Sequence, residues 1–212
     1  MALGAVSGPP AGLQKQGSSS SSLVELVTIV VVALGLALTI QAFLVKPFRI
    51  PSESMVPTLQ IGQRVLVDRV SYNFSDPHRG DVVVFHPPVG AISNTCGVER
   101  GAGQACPRPT QERSDENFIK RIVGAPGDRI AVIDGRVLVN GEAQSEPFIN
   151  PDAGCSVCDL PAEITVPPGH FFMMGDNRGE SGDSRYWGPI PEEWMIGNAF
   201  FTYWPVTRIG PL

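Results

Sequence analysis

Lysine is scarce in this chain: Lys15, Lys46 and Lys120 stand against thirteen arginines, and histidine also numbers three. The formal net charge is −5, so there is no basic surplus and no footprint for nucleic acid. None of the four cysteines, Cys96, Cys106, Cys155 and Cys158, has a histidine beside it, which counts against a zinc site. Helical periodicity is sparse beyond one apolar run. Twenty prolines and twenty-three glycines punctuate short strand-like segments instead, which points to a mainly β body. A chain of 212 residues has room for one substantial domain with a smaller lobe.

Residues 1–22 are rich in Gly, Pro, Ala and Ser and read as a disordered tail. Residues 23–45 are apolar apart from Glu25, Gln41 and two threonines. At ~1.5 Å per residue they reach about 34 Å, enough for a hydrocarbon core of ~30 Å. A cleaved secretory signal has a shorter apolar region, and a buried core helix rarely runs this long without polar interruption. A retained transmembrane helix fits better. Lys15 and Lys46 with Arg49 flank both ends, so charge does not set the orientation; the cysteines favour an extracytoplasmic body over residues 46–212.

Strand signals fall at Arg64–Val70, Asp81–Phe85, Phe118–Val123, Asp128–Ile133, Arg136–Val139, Ile164–Val166, His170–Met174 and Ile196–Trp204, with turns at Asp134-Gly135 and Asn140-Gly141. Residues 87–117 form an insertion without periodicity, expected as a long exposed loop, and 145–162 a second irregular stretch. Cys96 and Cys106 share the first loop and suit a disulfide; Cys155 and Cys158 suit a disulfide, a redox motif or a metal motif.

The organising segment is Ile50-Pro51-Ser52-Glu53-Ser54-Met55-Val56-Pro57-Thr58-Leu59. Two prolines hold its serines on a constrained, extended loop, where a serine is a turn residue or a nucleophile. Ser54 lies nine residues past Val45, so it stays within about 30 Å of the end of the apolar run. A nucleophilic serine needs a proton acceptor. His78, His86 and His170 sit at turns or strand ends. Lys15 is in the tail and Lys46 at the membrane boundary, which leaves Lys120. Strand alternation puts Lys120 on the face of Phe118 and Ile122, opposite Ile119 and Arg121, and an apolar face desolvates an amine and lowers its pKa. An edge lysine that blocks aggregation would have the same local sequence. The cluster from Met174 to Pro189 is dense in small, acidic and arginine residues and suits hydroxyl and ion-pair support of a buried amine.

Pro51-Ser52-Glu53-Ser54-Met55-Val56-Pro57-Thr58-Leu59, Arg79–Phe85, Lys120–Gly124 with Pro126-Gly127-Asp128, and Gly175–Arg178 through Ser181, Asp183, Ser184 and Arg185 stand in an order that resembles the bacterial type I signal peptidase family. The resemblance implies an antiparallel β-sheet catalytic domain of signal-peptidase/repressor-protease type with a small cap lobe, reduced here to about 131–169. It implies Ser54 as nucleophile and Lys120 as general base, with an oxyanion hole from the Ser54 N–H and the Ser52 hydroxyl. Ser181 would orient the lysine, and Asp183 with Arg185 and Asp176 with Arg121 would be supporting ion pairs. Phe48, Ile50, Pro51, Leu59, Val65, Val84, Phe118 and Ile119 would line apolar pockets for small substrate side chains at positions −1 and −3. Glu53 departs from the glycine of many members. The implied reaction is removal of signal peptides from exported preproteins at the cell membrane, near the export translocon and in contact with phospholipid. It uses no metal and no organic cofactor.

Two other readings share parts of this pattern. A self-cleaving repressor-type protease would carry a DNA-binding helical domain where this chain has an apolar run. A catalytically silent, membrane-anchored β-domain that binds exported chains would not need Ser54, Lys120 and Ser181 together.

Overall fold

Ser19–Phe43 forms one helix, α1, in a computed structural model that describes residues 19–152 and 155–212. The expected tail over residues 1–18 lies outside the described residues. Helix α1 starts four residues before the expected span: the first N–H groups of a helix need no intrahelical acceptor, so serines serve in its first turn. From Ser22 to Thr39 the helix is long and apolar enough to cross a membrane, and none of this window is buried within the protein. The helix stops short of Val45. Pro47 disfavours helical backbone at Lys46, and Val45–Arg49 pairs as a strand instead.

The body, Gln41–Leu212, is mainly β. In chain order its strands are β1 (Val45–Arg49), β2 (Arg64–Asp68), β3 (Val82–Phe85), β4 (Phe118–Gly124), β5 (Arg129–Ile133), β6 (Arg136–Val139), β7 (Glu142–Ala143), β8 (Leu160–Thr165), β9 (His170–Met174), β10 (Ile190–Pro191), β11 (Met195–Trp204) and β12 (Gly210–Pro211). A short helix, α2 (Ser184–Trp187), precedes β10. The large sheet runs β1-β2-β11-β3-β4-β9-β10, with β12 on β11, and every pairing is antiparallel. The small sheet runs β7-β6-β5-β8. Its two tight turns are Asp134-Gly135 and Asn140-Gly141, with φ of 50° and 74°, and 54° and 85°, the left-handed backbone of a two-residue hairpin whose twist matches its strands.

Strand β3 is buried on both faces, because Val82 and Val84 pack with Ile50, Met55, Leu59 and Ile119, while Val83 and Phe85 pack with Ile122, Met173 and Trp187. A third core, built on Ile130, Val132, Val137, Val139 and Ile164, takes in Val123, Phe172 and Met174, so the small sheet is seated on the large one. Central β4 therefore has its side chains drawn into all three cores.

The 87–117 segment is the long, mostly exposed loop that was expected, tethered at a few points. Val89 N–H donates to Glu112 O at 2.8 Å, Cys106 N–H donates to Arg185 O at 3.0 Å, and Ala91, Ala105 and Cys106 are buried. The loop is tethered because its backbone finds partners on the body and its span is cross-linked. Cys96 is bonded to Cys106 and Cys155 to Cys158, and no cysteine is free. The second pair is therefore neither a dithiol nor a metal site in this structure. Alkylation of the denatured, unreduced protein is expected to find no thiol; four reactive thiols would overturn both bridges.

Candidate active site

The loop before β2 is closed at its base by backbone pairing: Ile50 N–H donates to Gln63 O and Gly62 N–H to Ile50 O, both at 2.8 Å. Within it Val56 N–H donates to Glu53 O and Leu59 N–H to Met55 O, forming successive turns. Ile50, Met55 and Leu59 are buried to 1% exposure or less and anchor the loop from beneath. Ser54 sits between these anchors, itself 5% exposed.

Lys120 comes to it from the middle of β4, opposite Val83. Its side chain is 4% exposed and its Nζ lies 2.5 Å from Ser54 Oγ, the one hydrogen bond the amine makes among the described residues. Burial pulls the lysine pKa down to about 8; Arg185 pushes the same way, while Asp183 and Asp176 oppose it. Roughly a tenth of the amine is then neutral at pH 7, far more than for a free lysine, and this form has the lone pair that accepts the serine proton. Ser52 Oγ lies 3.3 Å from Ser54 Oγ.

The loop after β9 is stitched to the nucleophile. Asn177 N–H donates to Ser54 O at 3.1 Å and Asn177 Nδ2 to Glu53 O at 3.2 Å. Gly175 is required by close approach rather than by its backbone angles: a Cβ there would collide with Ser181 Oγ and Ser54 O. Asp176 takes a two-pronged contact from Arg121, at 2.8 Å from Nε and 2.7 Å from Nη2, and accepts from Thr58 Oγ1 at 2.5 Å. This joins β4, the nucleophile loop and the β9 loop in one cluster. Asp183 is fully buried and grips Arg185 through two bonds of 2.8 Å while accepting from Gly175 N–H at 3.1 Å. Burial alone would raise the Asp183 carboxyl, but the Arg185 charge and these hydrogen bonds hold it below the usual carboxylate range. Ser181 is 3% exposed; its hydroxyl faces Asp183 closely enough to help hold that carboxyl down, but makes no well-aligned hydrogen bond among the described residues, and none to Lys120.

Two adjoining cavities open at this point. The larger, of about 410 Å³, is lined by Pro51, Ser52, Ser54, Phe118, Ile119 and Lys120, and beyond them by residues of the 87–117 segment and of the β9 loop. The smaller, of about 170 Å³, is lined by Phe48, Arg49, Ile50, Pro51, Val84, Asn117, Phe118 and Ile119. An isolated buried serine–lysine pair at the floor of a cleft with an apolar annex is equipped for acyl transfer to serine.

A family model for signal peptidases, peptidase S26, matches residues 23–204. The chain belongs to this family. A signal peptidase I from Leptolyngbya laminosa is 36% identical over 207 residues, covering 96% of this chain and 91% of that protein. A probable signal peptidase I-1 from Synechocystis is 38% identical over 188 residues, covering 89% and 86%. As an S26 signal peptidase the chain is a serine protease, a hydrolase that cleaves signal peptides.

Of the residues the family resemblance puts at this signal peptidase's substrate pockets, Phe48, Ile50, Pro51, Val84, Phe118 and Ile119 line the smaller cavity. Leu59 and Val65 are fully buried behind it and line neither cavity. Sequence reasoning passed over Thr58 as a ligand of Asp176, and over Glu146 altogether. Glu146 is 6% exposed and holds Arg178, whose Nη2 lies 2.6 Å from Glu146 Oε1 while its Nε donates to Gly175 O at 3.0 Å. No local pattern marks Glu146, which lies in an irregular stretch; its partner is 32 residues away.

Proposed function

We propose that the chain is a membrane-anchored endopeptidase that removes signal peptides after small residues at −1 and −3, by a Ser54/Lys120 dyad. The observation that carries this reading is the 2.5 Å contact between the buried Lys120 amine and the buried Ser54 hydroxyl, at a cleft joined to an apolar pocket. Neutral Lys120 takes the Ser54 Oγ proton as Oγ attacks the scissile carbonyl carbon. The Ser54 N–H and the Ser52 hydroxyl receive the developing oxyanion. The lysinium then protonates the departing amine, leaving an ester on Ser54, and the regenerated neutral amine draws a proton from the water that hydrolyses it.

The smaller cavity supports apolar side chains at −1 and −3, because Phe48, Ile50, Pro51, Val84, Phe118 and Ile119 make most of its wall, with Arg49 and Asn117 its polar members. The apolar α1 supports anchoring in a phospholipid membrane, and the two disulfides support an extracytoplasmic body at the cell membrane, within reach of preproteins leaving the translocon. Ser181 is assigned to the lysine through the crowded corner it shares with Gly175 and Ser54, and the Asp183–Arg185 and Asp176–Arg121 pairs hold that corner rigid.

The test is cleavage of a preprotein carrying an Ala-x-Ala site by the detergent-solubilised chain and by its Ser54→Ala variant, with the product N-terminus sequenced. Cleavage after the second alanine is expected, lost by at least about a thousandfold in the variant. Equal cleavage by both proteins would remove Ser54 as nucleophile, and cleavage elsewhere would overturn the −1/−3 reading.

A further inference from the structure

With the smaller cavity taking the substrate side chains before the scissile bond, as proposed above, the chain after it has the residues that line the larger cavity alone as its surroundings. Those residues include Ala91, Ile92 and Asn94 of the 87–117 segment, Glu180 and Gly182 of the β9 loop, and Glu116, next in sequence to Asn117, which lines both cavities.

Both segments are held in place. The 3-10 turn Ala91–Ser93 is bracketed by Gly90 and Asn94 in left-handed backbone, and Cys96–Cys106 pins the segment that follows. Glu180 N–H donates to Asn177 O at 3.1 Å, and Asn177 is bonded to the nucleophile loop, so Glu180 stands at a set distance from Ser54. The two segments meet at Gly182, where a Cβ would come within 2.9 Å of Asn94 Oδ1. Glu116 and Glu180 are solvent-exposed. The other charged side chain of this cavity is Lys120, buried and engaged with Ser54, whereas Arg49 lines the smaller cavity. The larger cavity therefore carries two exposed carboxylates and the smaller one a cation.

We propose that Ala91–Asn94 and Glu180 form the subsite for the first residues of the mature protein, and that Glu180, with Glu116, makes it select basic over acidic residues there. The inference rests on the Ser54/Lys120 site and extends it to the leaving side. Exposed charges a few ångströms apart interact weakly in water, so the selection is a several-fold effect that salt screens.

Three preproteins identical except for the two residues after the Ala-x-Ala site, set to lysine, glutamine or glutamate, test it in the full-length enzyme. At about 0.02 M salt the wild type is expected to cleave the lysine form about tenfold better than the glutamate form in kcat/KM, shrinking to about twofold at about 0.5 M. Glu180→Gln should cut the low-salt ratio to about threefold, Glu116→Gln with Glu180→Gln should flatten it, and Glu180→Lys should invert it. Each protein's lysine and glutamate rates are read against its own cleavage of the glutamine form. A wild-type ratio near one, or a ratio surviving in the double variant, would overturn the proposal while the glutamine form still reports an intact Ser54/Lys120 site. Failure of the glutamine form in the wild type, or its equal cleavage by Ser54→Ala, would instead overturn the underlying site, and the subsite with it.

Discussion

Lys120→Met is expected to lower kcat by at least about a thousandfold while making the protein more stable at neutral pH. Both effects have one cause. Lys120 is enclosed, with a pKa near 8 in the folded protein against 10.5 in a free chain, so folding at pH 7 requires a charged amine to give up its water. The unfolded chain binds more protons than the folded one between about pH 8 and 10.5. Wild-type stability should therefore rise with pH through that window and lie at its lower plateau beneath pH 8. Methionine fills similar space without a charge, so the variant should gain on the order of 2–3 kcal/mol at pH 7 and lose this pH dependence. Denaturant unfolding of both proteins from about pH 7 to 10 measures the stability side. On the activity side, kcat/KM should climb with pH and level off above about 8 as the amine loses its proton. Near-normal activity in Lys120→Arg, or an unchanged stability slope in Lys120→Met, would sink the assignment.

Glu146→Ala should destabilise the protein by about 3–5 kcal/mol, because it strands the Arg178 guanidinium in the interior. Arg178 is 1% exposed, and besides Glu146 it reaches Gly135 O at 2.5 Å and Gly175 O at 3.0 Å. Glu146 also accepts from Val137 N–H at 3.1 Å, so the pair joins the small sheet to the loop that carries Ser181 and Asp183. Glu146→Gln removes the charge but keeps hydrogen-bonding capacity, and should cost less than Glu146→Ala. The check is urea unfolding with activity measured on the folded fraction. A Glu146→Ala protein within about 0.5 kcal/mol of wild type would show that the pair is energetically idle.

Much of the body was legible because its signals are local. Val82–Phe85 declares a doubly buried strand by its unbroken β-branched and aromatic run, and Asp134-Gly135 and Asn140-Gly141 mark their hairpins because few other pairs adopt positive φ twice in succession. The strand β1 was less legible: Lys46-Pro47-Phe48 carries no strand signal of its own, and Arg64–Asp68 supplies the partner that makes it a strand. The 87–117 segment reads as exposed loop from composition and mostly is one; what composition does not reveal is its tethering, such as the Cys106 N–H bond to Arg185 O beside the Cys96–Cys106 bridge.

By itself the sequence determined the elements and the cast of the site: an apolar helix, an antiparallel β body, a serine on a proline-bounded loop and one lysine on an apolar strand face. Those features follow from side-chain volume, backbone restriction and periodicity, all of which act over a few residues. Tertiary structure alone decided that Lys120 reaches Ser54 across 66 residues, that Asp176 gathers Arg121 and Thr58, that Leu59 and Val65 lie behind the pocket rather than on it, and that Glu146 supports Arg178. Each of these depends on strand order and register, which place distant residues side by side, and on burial, which turns an ordinary lysine into one able to give up its proton near neutral pH.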